Sequence, residues 1–228
     1  MTAGSLVVDA GTTRARIRWS TTADGDFHLE ADPVALRHRR QAFVPGAWTQ
    51  LDEVHGTCVR VVGHPGEHDG AEGDAAVTRC PGAVLAVWVG DCAPVVLVGD
   101  RGVVGVVHAG WRGAAAGVLP AAVAAVRDLG GGAVGAVMGP CIHPCCYEFG
   151  AHDMRPFVDR HGTAVAGRTD AGTLSLDMPE VVRRELALLD VGVLAVGGCT
   201  ACSGGRWFSH RRGDRGRQVM TVVLGATA

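Results

Sequence analysis

VLAVWVGDCAPVVLVGDRGVVGVVHAGWRG, residues 84–113, holds three apolar runs in close succession. The stretches 84–90, 94–100 and 102–110 are each rich in Val and bounded by Gly or Asp. Short β-branched runs between turn signals, without polar alternation, predict strands buried on both faces. A tight break at Asp91-Cys92 separates the first two. The following segment, GAAAGVLPAAVAAVRDLG (113–130), predicts a helix closed by Gly130, with Pro120 marking a kink or a fresh start. GAVGAVMGP (132–140) then reads as another strand. This alternation points to an α/β architecture.

Outward from that stretch the pattern continues. Helices are predicted near 150–161 and 178–190, and VGVLAVGGC (191–199) and RQVMTVVLG (217–225) read as strands. The first half is less regular, with short strands near 5–9 and 14–19 and a helix from Pro33 through Phe43. Gly- and Asp-rich loops are expected at 63–74, 162–173 and 203–217. No internal repeat or linker interrupts the text, so the expectation is one α/β domain spanning 1–228, with mixed sheets flanked by helices.

Composition narrows the function classes. The chain has 228 residues, 47% of them hydrophobic, and a formal net charge of -2, enough for one sizeable core and no sign of a polyanion-binding surface. Nucleic acid is therefore not an expected partner. Gly, Asp and Arg interrupt every apolar run short of membrane-spanning length, and the N-terminal text lacks the features of a signal peptide. A soluble cytoplasmic protein without membrane contact is the expectation, with a monomer favoured because no apolar helix face announces a dimer.

Chemistry enters through His55, Cys92 and His108. Cys92 follows one predicted strand and His108 ends another, and strand ends are where α/β proteins place functional groups. Two imidazoles and one thiolate are what zinc takes from three protein ligands, leaving a fourth position for water or substrate. Each residue taken alone is more often a satisfied buried polar group. Eight cysteines without a secretory signal favour metal or reactive roles over disulfides. Cys199 and Cys202 form a C-x-x-C, while Cys141, Cys145 and Cys146 crowd one turn. Adjacent Cys145-Cys146 is a poor substitute for a second C-x-x-C, so spacing argues against a structural four-cysteine zinc site. Cys58 and Cys80 are expected to be packed thiols. In HAGWRG (108–113), the Arg112 guanidinium and the amides of the following helix start suit an anionic group such as phosphate. The same stretch is also compatible with a Gly-lined turn that leaves Arg112 on the surface.

Taken together, VHGT (54–57), GDAAVT around Asp74, DCAP (91–94), HAGWRG, GPCIHPCCYE (139–148), CT (199–200) and FSHRR (208–212) with GR (216–217) resemble the YfiH-type family. Its members are known both as laccase-domain multicopper polyphenol oxidases and as purine nucleoside phosphorylases. The resemblance covers about residues 48 to 224 and implies a layered α/β/β/α fold. It implies one zinc held by His55, Cys92 and His108, and phosphorolysis of adenosine, inosine, guanosine or methylthioadenosine, with adenosine deamination as a further activity. Purine nucleosides and phosphate are then the expected partners. The multicopper label conflicts with the residues, because such oxidases hold their copper cluster with repeated His-x-His pairs and this chain has none. Copper is compatible with a His₂Cys site in vitro, but zinc suits it.

On this reading Arg112 binds the attacking phosphate, and Asp91 orients a ligand histidine or moves a proton. Tyr147 and Glu148 line the base or ribose pocket, and Ser209 and Arg211 add polar contacts. For Tyr147, Glu148, Ser209 and Arg211 a purely structural polar role is the competing reading. A Cys-His hydrolase, with Cys92 as nucleophile and His55 or His108 as base, is the rival within the same residues.

Several positions depart from the family pattern. Thr22, in STTADGD (20–26), stands where the family carries an arginine facing the site; Glu53 replaces a glutamine; Arg39-Arg40 replace an Asn-Arg pair; and His143 replaces a small residue. Losing the arginine and gaining Glu53 is expected to make the site more negative and to weaken phosphate binding. That motivates a different reading, a divergent paralogue that keeps the metal but serves as a binding or regulatory protein.

Overall fold

A computed structural model describes residues 4–225, which build two mixed sheets stacked face to face. In chain order the strands are β1 (Gly4–Asp9), β2 (Arg14–Trp19), β3 (Trp48–Gln50), β4 (Val59–Val62), β5 (Ala75–Thr78), β6 (Val84–Val89) and β7 (Ala93–Gly99). They continue as β8 (Val103–Ala109), β9 (Val134–Met138), β10 (Ala166–Arg168), β11 (Leu174–Leu176), β12 (Gly192–Val196) and β13 (Gln218–Leu224). The helices are α1 (Pro33–Phe43), α2 (Trp111–Ala116), α3 (Val118–Asp128), α4 (Ala151–His161) and α5 (Met178–Ala187). One sheet has the order β1-β2-β13-β6-β3 and the other β12-β9-β7-β8-β5-β4, while β10 and β11 form a separate hairpin.

Side-chain alternation sets the layers. In the six-stranded sheet Val95, Leu97 and Val107 pack with Val123 of α3 and Val182 of α5. Their neighbours Val96, Val98 and Val106 pack instead with Leu85, Met220 and Val222 of the other sheet. The far face of the five-stranded sheet, including Val84 and Ala86, is covered by Leu36 and Phe43 of α1. The order is helices, sheet, sheet, helix, which is the layered α/β/β/α arrangement. Burial from both sides explains the unbroken apolar runs: every residue of β7 and β8 is buried.

The runs 84–90 and 94–100, although adjacent in sequence, lie in different sheets. β6 pairs with β13 and β3, whereas β7 pairs with β8 and β9. The chain crosses between sheets at Gly90–Cys92, and Asp91 there takes φ +91°, a left-handed value that a non-glycine residue keeps only when its surroundings hold it.

Two expectations change in the helix after β8. The helix starts at Trp111, so Arg112 lies within its first turn rather than before it. The break falls at Gly117, φ +97°, and Pro120 is the third residue of α3. Its missing N–H is one of the donors that a helix start leaves without an intrahelical partner, so it produces no kink. Strands β3, β4, β5, β10 and β11 have three or four residues each and carry too little periodicity to be read; β10 falls within the expected loop 162–173 and β11 just after it. No helix among the described residues is long and apolar enough to cross a membrane.

Candidate active site and metal centre

Asp74, which immediately precedes β5 and is fully buried, organises the centre. Its carboxylate accepts the backbone N–H of His55 at 2.9 Å and of Gly56 at 2.6 Å, pinning the VHGT loop. Asp74 Oδ1 also pairs with His108 Nδ1 at 2.9 Å, and the Asp74 carbonyl accepts the His108 N–H at 2.7 Å. One acidic side chain thus brings a loop from the first half of the chain to the end of β8. With Nδ1–H donated to Asp74, the Nε2 lone pair of His108 is left for a metal. His55 itself sits at φ +59°.

The donor atoms of His55, Cys92 and His108 lie within 4.8 Å of one another. Cys92 Sγ is 3.9 Å from His55 Nε2, close to the roughly 3.6 Å that separates S and N ligands across a tetrahedral zinc. The donor set, its spacing and the tautomer fixed through Asp74 together fit a metal ion. Close approach depends on Gly110: a Cβ there would stand 2.7 Å from His55 Cδ2 and 3.2 Å from Cys92 Sγ.

Electrostatics follow from the same geometry. Burial opposes the Cys92 thiolate, but the charge of His108 and hydrogen bonds from His108 and His55 outweigh it, lowering the pKa to about 6. Burial also opposes the His108 imidazolium, yet Glu53, Cys92 and the Asp74 hydrogen bond hold its pKa well above the usual value. Burial pushes Glu53 up to about 8. Its Oε1 accepts the Trp88 N–H at 2.8 Å.

Two cavities meet at the triad, and His55 and Cys92 line both. The larger, about 480 Å³, is walled by Arg112, Tyr147, Glu148, Phe149, Asp153 and Arg211 among others. The smaller, about 220 Å³, is lined by Trp88, Glu53, His108 and Arg217. The Arg112 guanidinium stacks 4.4 Å over the Trp111 ring, and Arg211 stands 5.6 Å from the centre of the Tyr147 ring. Arg211 also donates to the Glu148 carbonyl at 3.0 Å. Thr22 lines neither cavity; its hydroxyl donates to the Gly205 carbonyl at 2.8 Å. Arg112 and Arg211 line the larger cavity and Arg217 the smaller.

The structure gives Asp91 and Ser209 different work from that expected. Asp91 Oδ1 accepts the Thr200 hydroxyl at 2.5 Å, while Oδ2 accepts the Ser209 hydroxyl at 3.0 Å and the Arg211 N–H at 2.7 Å. A carboxylate so occupied orients no histidine; Asp74 does that. Ser209 is buried with its hydroxyl spent on Asp91, so it makes no contact with the cleft. Asp74, Thr200, His210 and Arg217 lie in motifs that carry the family resemblance but had no role assigned from the sequence, and Asp153 lies in none of them. The signal for Asp74 was its place at the head of a strand pairing with the His108 strand, which needs the pairing to be known.

The cysteines also differ from expectation. Sulfurs of Cys145, Cys146, Cys199 and Cys202 lie within 4.8 Å of one another despite their spacing in sequence. Cys58 is exposed rather than packed, Cys80 is half-buried, and Cys141 is a buried thiol whose pKa burial pushes up.

Comparison with known proteins adds four findings. The family model for multi-copper polyphenol oxidoreductase laccase matches residues 22–225. A Xylella fastidiosa protein named purine nucleoside phosphorylase is 39% identical over 156 residues, covering 66% of this chain but only 60% of that protein's length. The Shigella flexneri protein named purine nucleoside phosphorylase YfiH is 35% identical over 201 residues, 83% of this chain and 77% of that protein. The crystal structure of YlmD from Geobacillus stearothermophilus shares the fold, with a TM-score of 0.80 at 24% identity over 92% of each chain.

Proposed function

The chain belongs to the family described as multi-copper polyphenol oxidoreductase laccase, and we propose that it is a zinc-dependent purine nucleoside phosphorylase. The carrying observation is the position of the His55–Cys92–His108 triad, at the mouth of a cleft of about 480 Å³ that also presents Arg112, Arg211 and an aromatic wall. That volume suits a nucleoside-sized ligand. The names of the Xylella and Shigella relatives support the same reading. Copper-oxidase chemistry has less support. The two candidate metal groups among the described residues are one His₂Cys and one Cys₄ set, and neither offers the imidazole pairs of a trinuclear copper cluster.

When bound, zinc would supply a Lewis acid at the junction of the two cavities. Arg112, with Arg211 beside it, holds the phosphate by charge-assisted hydrogen bonds. An oxygen of hydrogen phosphate bonds to the ribose C1′ as the C1′–N9 bond breaks, the electron pair of that bond leaves with the purine, and the proton given up by the phosphate ends on the purine nitrogen, giving free base and ribose 1-phosphate. The two guanidinium groups offset the phosphate's charge so that it can approach. The Tyr147 ring, tilted 59° against Phe149 at 5.4 Å, gives the purine an apolar face. Glu148 accepts from ribose hydroxyls or a base N–H. Asp91 positions Arg211 through the backbone, and Ser209 supports Asp91. Hydrolytic deamination of adenosine, in which water adds at C6 and the amino group leaves as ammonia to give inosine, is the second reaction this reading includes.

One observation favours a rival. A Cys92 thiol with pKa about 6, 3.9 Å from His55 Nε2, is also what a Cys-His hydrolase needs. A thiolate bound to zinc is not free to attack, so the two schemes exclude each other in one state. The test is metal content together with base release from inosine and adenosine, with and without phosphate. Zinc with phosphate-dependent release supports the proposal. Zinc without any release contradicts it and leaves the binding-protein reading.

A further inference from the structure

We propose that Cys145, Cys146, Cys199 and Cys202 hold a second, structural zinc ion that clamps one wall of the cleft. The inference is independent of the reaction proposed above. It begins with topology. β9 and β12 are parallel neighbours, so the turns leaving their C-terminal ends run side by side. A bridge joins Cys141 to Cys199, with Thr200 N–H donating to the Cys141 carbonyl at 2.9 Å. That places the C-x-x-C of the second turn against Cys145-Cys146 of the first, which sequence spacing alone could not reveal.

The distances are those of a metal cage. Cys145 Sγ is 3.7 Å from both Cys199 Sγ and Cys202 Sγ. All four sulfurs lie within 4.8 Å of one another. Four thiolates about 2.3 Å from a central zinc have S···S edges of about 3.8 Å. A disulfide would instead need about 2.05 Å, and all four cysteines are free. The Cys199–Cys202 loop has contacts that favour negative charge. The His143 backbone N–H points at Cys199 Sγ at 3.5 Å. Arg212 donates to the carbonyls of Thr200 at 3.2 Å and Ala201 at 3.0 Å, placing a cation beside the C-x-x-C loop. A Zn(Cys)₄ centre carries two net negative charges, which that guanidinium partly offsets. No fifth ligand position remains open in such a set, which marks a structural site rather than a catalytic one.

Its consequence is positional. Cys145-Cys146 lead directly into Tyr147-Glu148, which line the larger cavity. Cys199 leads into Thr200, whose hydroxyl holds Asp91. Asp170 N–H donates to the Cys145 carbonyl at 2.9 Å, adding the β10–β11 hairpin to the same knot. Fixing the four sulfurs fixes the part of the wall that Tyr147 and Glu148 form.

The test separates this ion from the triad's. In the His108→Ala variant, which breaks the triad, about one zinc per chain should remain, with X-ray absorption showing an all-sulfur shell near 2.3 Å. Cobalt substituted there should give the strong thiolate charge-transfer and tetrahedral visible bands of a Co(Cys)₄ centre. Adding Cys145→Ser and Cys202→Ser should abolish both. If His108→Ala does not fold, the unaltered chain serves: about two zinc ions per chain are expected if the triad is filled, with an average shell richer in sulfur than one His₂Cys site gives. A metal-free His108→Ala variant, a nitrogen- or oxygen-rich shell in it, or a disulfide among the four cysteines would each overturn the proposal.

Discussion

At the residue scale, the centre rests on Asp74 more than on any ligand's own neighbours. It is buried, and it spends its carboxylate on His108 Nδ1 and on the N–H groups of His55 and Gly56. Asp74→Asn keeps the shape, but its amide NH₂ replaces one of the two accepting oxygens and removes the charge that raises ligand basicity. Metal affinity should fall by about 10–100-fold, as measured by competition with a chromophoric chelator; unchanged affinity would show that the ligands are held by other means. Gly110 offers a second check. Gly110→Ala forces a Cβ to within 2.7 Å of His55, so zinc content should drop while the circular dichroism spectrum is retained. Arg112→Ala should instead spare the metal and raise the phosphate concentration needed for half-maximal base release, because the residue lines the cleft and makes no contact with the triad's donors. If the zinc were lost as well, its assigned role would be wrong. His55, Cys92, His108 and Arg112 were legible as residue types in the sequence. Asp74 stood out only as part of a family-like motif, and its role was not legible, because an acid before a short strand looks like any other turn residue until β5 is seen paired with β8.

At the scale of elements, the helical stretch after β8 shows how a turn signal is read and misread. Pro120 is the conspicuous breaker in the sequence, yet Gly117 makes the break, since only its φ of +97° lets α2 end and α3 begin. Gly117→Ala meets no atom within 4 Å, so its cost is backbone strain alone, about 1–2 kcal/mol. For a chain of this size that lowers Tm by roughly 2–8 °C. Pro120→Ala should cost less than about 1 kcal/mol, through the unfolded state. A larger Tm loss at Pro120 than at Gly117 in calorimetry would reverse the assignment. Long elements such as α1, β7 and β8 were readable because their length and their burial on one or both sides impose a pattern. Strands of three or four residues, such as β3 and β5, are made by the partner they pair with and leave no pattern of their own.

At the scale of the whole molecule, the site exists because two sheets are stacked and the chain crosses between them at Gly90–Cys92. Cys92 enters from that crossover, His108 from the end of β8, and His55 from a loop that Asp74 ties down. The class of fold could be read from the runs at 84–113, but the crossover could not, since adjacent apolar runs look the same whether they pair or part. The departures from the family pattern also have their places in the fold: Thr22 is bonded to the Gly205 carbonyl outside both cavities, Glu53 lines the smaller one, and Arg112, Arg211 and Arg217 stand around the two. The most direct test of the central claim is to follow hypoxanthine and ribose 1-phosphate from inosine, using the zinc-loaded protein and the same protein after chelation. The account predicts equal yields of the two products from the zinc-loaded protein, only when phosphate is present, and none after chelation until zinc is restored. Base release that continues in the chelated protein, giving free ribose without phosphate, would contradict it and hand the site to Cys92 as a nucleophile.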